Sequence, residues 1–161
     1  MINGTMCFLR SKGKTLFLYR NSGKNDMHNG FYVLPGGHIE RGEKSIDGII
    51  REFEEETGLT PVSPKLRIIA TFYNKGRILG GKKDPEDWRV DTYEANYFKG
   101  KLKCEKPDDK LVWVKDSKIE KINMYEGDRE LFSLLKEPGV FEAILQYDKQ
   151  KLIRFDYSRV Y

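Results

Sequence analysis

Three glutamates, Glu52, Glu55 and Glu56, stand within the segment Arg51-Glu52-Phe53-Glu54-Glu55-Glu56-Thr57-Gly58-Leu59. At 3.6 residues per helical turn, Glu52 and Glu56 lie one turn apart on the same side, with Glu55 beside them, so three carboxylates converge on one helix edge. Like charges at that spacing repel and weaken a helix unless a positive charge sits among them. A hard divalent cation meets that need, because Mg²⁺ takes oxygen ligands and keeps several of its waters. Arg51, four residues before Glu55, is placed to hold one of these carboxylates in a fixed rotamer.

A run of glutamates is more often a solvated helix face, since Glu is a good helix former. What argues for chemistry is the register of the whole stretch: Gly37, Glu43, Arg51-Glu52, Glu55-Glu56 and Gly58, a combination that chance seldom assembles. The glycines of Pro35-Gly36-Gly37 permit a tight turn and the close approach of a ligand to bare backbone.

The elements that must position these groups can be read from periodicity. From Lys44 to Thr57, Ile46, Ile49, Ile50 and Phe53 recur as one face of a helix opposite the acidic edge, so packing and chemistry separate. Glu43 near its start complements the helix dipole, and Gly58 stops it. Met6–Leu9 and Thr15–Arg20 predict an opening hairpin, and Phe31–Leu34 a short buried strand running into the glycine turn. Leu66–Tyr73 and Trp88–Phe98 read as two long strands separated by a glycine- and lysine-rich loop, Asn74–Asp87. A further strand over Leu111–Val114, a helix over Asp128–Lys136 and a closing hairpin over Val140–Tyr147 and Lys151–Asp156 complete an α/β order with a mixed sheet.

From Gly37 to Leu59 the sequence resembles the Nudix hydrolase family, whose signature G-x5-E-x7-R-E-U-x-E-E-x-G-U, with U apolar, is matched without a departure. The resemblance implies a Nudix-type α/β/α sandwich around a central mixed β-sheet, and attack by a metal-activated water on a phosphorus of a nucleoside diphosphate linked to another group. Carried over by position, it makes Glu52, Glu55 and Glu56 ligands of Mg²⁺, or of Mn²⁺, together with the backbone carbonyl of Gly36. Arg51 joins the catalytic set. One glutamate would serve as general base, and the pattern leaves open which.

Within the family, residues 29–37 and 110–161 look most like MutT-type enzymes, which hydrolyse oxidised purine nucleoside triphosphates such as 8-oxo-dGTP to the monophosphate and pyrophosphate. That likeness places Asp128 at the purine edge, Tyr125 stacked on the ring, and Phe72, Gly37 and Arg20 on the substrate side. Asp128 also reads as the N-cap of the helix after it, and Phe72 as an ordinary core aromatic. Two departures stand out. Val33-Leu34-Pro35 replaces a polar residue before the glycine loop, and the distant acidic metal ligand falls at Asp108, or at its neighbour Asp109. The Asn74–Asp87 loop reads either as a cover for the pocket or as a plain surface loop. Alternatives to a triphosphate substrate are ADP-ribose or a dinucleoside polyphosphate, or a binding module that senses a nucleotide without cutting it; all three glutamates are kept, which argues against the last.

The bulk properties bound the rest. A chain of 161 residues suits one domain, and its apolar runs are far shorter than the roughly 20 residues a bilayer crossing needs. The N-terminus lacks the order of a secretion signal, so a cytoplasmic protein is expected. Cys7 and Cys104 suit reduced thiols. The net charge of +4 is interleaved with acidic residues, which speaks against a stable nucleic-acid partner. The expected partner is a small nucleotide, bound by a monomer or homodimer.

Overall fold

The computed structural model describes residues 1–24, 26, 28–74, 77–79, 82–84 and 86–161, with 77–79 and 82–84 as backbone. The chain opens on the predicted hairpin, β1 (Ile2–Ser11) and β2 (Lys14–Tyr19). Its turn places Lys12 and Gly13 at φ 52° and 72°, the left-handed pair that matches the twist of a two-residue hairpin. There follow β3 (Tyr32–Val33), β4 (Gly36–His38), α1 (Ser45–Thr57), β5 (Leu59–Val62), β6 (Lys65–Tyr73), β7 (Arg77–Leu79), β8 (Lys82–Asp84), β9 (Trp88–Ala95) and β10 (Tyr97–Gly100). The chain ends with β11 (Lys110–Lys115), a 3-10 turn over Asp116–Lys121, α2 (Glu126–Leu134), β12 (Phe141–Asp148) and β13 (Lys151–Arg159).

The main sheet runs β11-β2-β1-β9-β6-β12-β13, with β3 added to β2 and β4 to β1. It is mixed: β1 with β9 and β6 with β12 are parallel, and the other pairs antiparallel. Strand alternation divides the core in two. Cys7 and Leu9 of β1 pack with Leu16, Tyr93 and Ala95 against Ile49 and Phe53 of α1. Phe8, between them, joins Phe17, Phe141 and Leu145 against Leu131 and Leu134 of α2. Successive side chains of one strand thus feed opposite layers, and the two helices cover opposite faces, which is the α/β/α arrangement.

Helix α1 takes the register expected, with one exception: Ile49 and Phe53 are fully buried, whereas Ile46 is 38% exposed because the core cluster does not reach the first turn. Gly58 ends the helix at φ 75° with its N–H donated to the Glu54 carbonyl. Thr57 reinforces the stop, its hydroxyl donating to the Phe53 carbonyl and accepting the Leu59 N–H.

Three expectations change. The span Trp88–Phe98 is two strands, since the chain leaves the main sheet after Ala95 and β10 pairs instead with β5, a short strand whose Pro61 hides it from a pattern reading. The second helix begins at Glu126, so Tyr125 occupies the cap position and Asp128 lies in the first turn. Within Asn74–Asp87, β7 and β8 form a two-stranded ladder; positions 75, 76, 80, 81 and 85 lie outside the described residues, and with them the question of a cover for the pocket. Among the described residues no helix is long and apolar enough to cross a membrane.

Phe53 is a test of this packing. Phe53→Ala should cost about 3–5 kcal/mol through lost burial and the cavity left behind, read as a lowered urea midpoint with an unchanged slope.

Candidate active site

The glycine turn and α1 are built against each other. On Gly36, which pairs with Met6 of β1, a Cβ would lie 2.1 Å from the Thr5 carbonyl oxygen. On Gly37 it would lie 2.5 Å from the Glu52 carboxylate. Only glycine lets the strand pass and the glutamate approach at these points. The Gly36 backbone N–H favours the charged form of the Glu56 carboxyl, so the turn also faces the helix at a second acid.

Arg51 organises the acidic edge. Its Nε and Nη2 donate to the two carboxylate oxygens of Glu43 at 2.8 and 3.0 Å, a two-point clamp across eight residues. Nη1 donates to Glu52 at 2.8 Å and reaches Glu55 only at 3.5 Å, and Nη2 also donates to the His38 carbonyl. The clamp holds the Glu43 carboxyl down to about 2, helped by the Glu40 backbone N–H. Glu43 precedes α1, and its work is to seat Arg51; the expected lock on Glu55 is the weakest of these contacts, and that side chain is half exposed.

A cavity of about 200 Å³ lies beside this edge, lined by Glu52, Glu55 and Glu56 and by Glu105, Asp109, Cys104, Lys106, Leu18 and Arg20. Burial pushes the Glu56 carboxyl up to about 8, with the Glu52 and Glu105 charges adding to the rise and the Gly36 N–H and Arg20 opposing it. Asp108 is exposed and lines no part of it, whereas its neighbour Asp109, the alternative the sequence left open, is buried and lines the cavity. The Asp109 carboxylate accepts from the Asn21 N–H at 2.8 Å and the Ser22 hydroxyl at 2.6 Å, and lies 3.6 Å from Arg20. Among the described residues no three such groups already stand in an ion-holding geometry, and Glu52 is paired with Arg51. The donor set nevertheless fits a hard cation: five carboxylates face one small cavity, and burial together with two neighbouring carboxylates disfavours the charge on one of them, Glu56.

A second cavity, about 260 Å³, opens on the other side of the glycine turn. Phe72, Tyr125, Asp128, Arg20 and Gly37, the residues expected on the substrate side, all line it, together with Gly36 and Glu56 from the expected metal side. Phe72 is both core and wall, being 9% exposed. Tyr125 stacks on Phe31 at 4.4 Å with nearly parallel rings, and its hydroxyl meets His28 Nδ1 at 2.7 Å. Leu34, Val33, Met6 and Val90 give apolar walls. Sequence reading missed Trp88, Asn74, His28 and Tyr147 here and Glu105 in the smaller cavity, because nothing in their local pattern sets them apart; only the strand order unites them. Arg20, between the two cavities, is held by Asp26 at 2.8 and 3.2 Å.

Comparison with known proteins identifies the family and the fold. Residues 2–135 match the model of the NUDIX domain. The chain is 30% identical over 144 residues to the Nudix hydrolase YvcI of Bacillus subtilis, covering 89% of this chain and 85% of that protein. Its fold is similar to the crystal structure of the mutator MutT protein from Bacillus halodurans, with a TM-score of 0.81 at 25% identity over 98% of this chain and 97% of the other. It also shares a fold with the NUDIX domain of Shewanella oneidensis NrtR, solved with ADP ribose, at a TM-score of 0.64 and 15% identity over 84% and 86% of the two chains. The chain belongs to the Nudix hydrolase family, whose members hydrolyse phosphoanhydride bonds of nucleotide derivatives with the aid of divalent metal ions.

Proposed function

We propose that this protein is a Mg²⁺-dependent pyrophosphohydrolase that cuts a nucleoside triphosphate, preferably one with an oxidised purine, to the monophosphate and pyrophosphate. The observation that carries this reading is that Arg20 and Glu56 line both cavities. A nucleotide with its base in the larger cavity has its phosphates pass Arg20 and reach the carboxylate-lined one.

In this reading Glu52, Glu55 and Glu56, with the Gly36 carbonyl, hold the cation, and Asp109 and Glu105 take the part first given to Asp108. The cation, when bound, lowers the pKa of a water and offsets charge on the phosphates. The protein's own groups do the rest. Arg51 fixes Glu52, Gly37 admits it, Arg20 meets a phosphate, and the apolar wall strips water from the base. Asp128 supplies a carboxylate to a base edge, where a mismatched partner leaves it unpaired at a cost of roughly 1–3 kcal/mol. Tyr125, already stacked on Phe31, extends an aromatic surface toward the ring.

Incubation with Mg²⁺ and a panel of triphosphates, ADP-ribose and dinucleoside polyphosphates should release pyrophosphate from a triphosphate. Release of orthophosphate alone would sink this reading. Glu56→Gln keeps the shape and the Gly36 contact but not the charge, and should slow turnover on the order of 10³-fold with the melting temperature held.

The same carboxyl sets a pH dependence for the cation. A group held near 8 is largely protonated at neutral pH, so binding Mg²⁺ or Mn²⁺ expels a proton. Affinity should therefore rise as pH increases toward about 8, and calorimetry in buffers of different ionisation enthalpy should show proton release that Glu56→Gln abolishes.

Glu43 gives an expectation independent of turnover. Its carboxyl lies at about 2 in the folded protein against an ordinary 4.5, so between those values the unfolded chain binds more protons. The clamp's contribution to stability is then complete above 4.5 and lost as pH falls toward 2. Glu43→Gln should flatten the acid limb of a plot of urea midpoint against pH.

A further inference from the structure

The start of α2 carries two residues of the larger cavity, Tyr125 at the cap position and Asp128 in the first turn. The first backbone N–H groups of any helix have no partner within it, and a side chain at the cap position ordinarily answers one of them. Tyr125 makes no such bond. The Gly127 N–H is instead donated to the hydroxyl of Tyr147, 2.8 Å away and buried, from strand β12. The fit is close on both sides: a Cβ on Gly127 would fall 2.5 Å from that hydroxyl oxygen and 2.9 Å from Leu145 of the same strand. The hairpin grips the helix start once more where the Leu152 N–H donates to Glu126 at 3.3 Å. Tyr147 itself lines the cavity, and it lies beyond residue 135, where the match to the NUDIX domain ends.

We infer that the C-terminal hairpin caps α2 from outside and that the Tyr147 hydroxyl is a positioning residue for base recognition, setting Asp128 and Tyr125 against the nucleobase. This rests on the larger cavity being the base site. Tyr125, at the cap position, faces Phe31 and His28, and the hydroxyl that meets the Gly127 N–H comes from a neighbouring strand. Replacing Tyr147 with phenylalanine keeps the ring and removes the hydroxyl, and with it the acceptor of the Gly127 N–H, at the point from which Asp128 is aimed. Selectivity among bases is then decided partly by a residue that never enters the signature segment.

The test compares the parent protein with Tyr147→Phe, Asp128→Asn and the double variant, on full-length protein with Mg²⁺ and triphosphates differing only in the base. Tyr147→Phe should raise KM for the preferred base about tenfold with the loss falling on KM rather than kcat, and should narrow the ratio of kcat/KM between preferred and poor bases by a similar factor. In the Asp128→Asn background the same change should add little, because the group being aimed is already gone. Amide hydrogen exchange at Gly127 and Asp128 should quicken in Tyr147→Phe. A variant that melts lower yet discriminates as the parent does makes the hydroxyl a fold contact only and overturns the inference. So does exchange at Gly127 that is unchanged. A parent that hydrolyses none of the panel removes the base-site reading beneath it, a result distinct from a selective parent with an equally selective variant.

Discussion

Mutual repulsion among carboxylates crowded at one corner is the constraint around which the rest of this protein is arranged. Glu52, Glu55, Glu56, Glu105 and Asp109 face a cavity of about 200 Å³, and the fold balances them by several means at once. Arg51 neutralises the outer edge through Glu43 and Glu52, Arg20 approaches from the other side beside Asp109, and Glu56 retains a proton. Each lowers the net negative charge at that corner, Glu56 chiefly through its burial. A divalent cation would offset the charge of the whole group at once, which suits the metal-aided chemistry of the Nudix hydrolase family.

Holding that corner requires a rigid backing. One face of α1 is sunk into Cys7, Leu9, Tyr93 and Ala95, so the helix cannot roll away when its acidic edge is strained. The glycine turn is clasped between β1 and the helix: Gly36 has no room for a side chain against the β1 backbone, and one on Gly37 would displace the Glu52 carboxylate. Packing on one side and charge on the other are thereby independent, and the charges can be altered without dissolving the core that positions them.

The larger cavity is assembled differently. Its wall draws on β1, β6, β9, the start of α2 and β12, elements separated by more than a hundred residues of sequence. The parallel pairings of β1 with β9 and of β6 with β12 bring these strands side by side, and the alternation of the strands turns Phe72, Val90 and Tyr147 to one face. The two cavities share Arg20 and Glu56, so a ligand can span them.

The signature segment was legible from the sequence because its chemistry is local. Helical spacing alone gathers Glu52, Glu55 and Glu56, puts Ile49 and Phe53 behind them and stops the helix at Gly58, and the hairpins at both ends of the chain announce themselves by alternation. What the sequence left open depended on contacts between distant residues. That Asp109 rather than Asp108 faces the carboxylate-lined cavity depends on how the turn before β11 packs, and the two-point partner of Arg51 on the return of Glu43 toward the helix. Pro61 and the break after Ala95 disguised the β5–β10 pair, and the cap on α2 came from Tyr147, on another strand. Periodicity fixes the direction of a side chain relative to its own helix or strand; which neighbour it meets is decided only when the sheet order brings remote segments together.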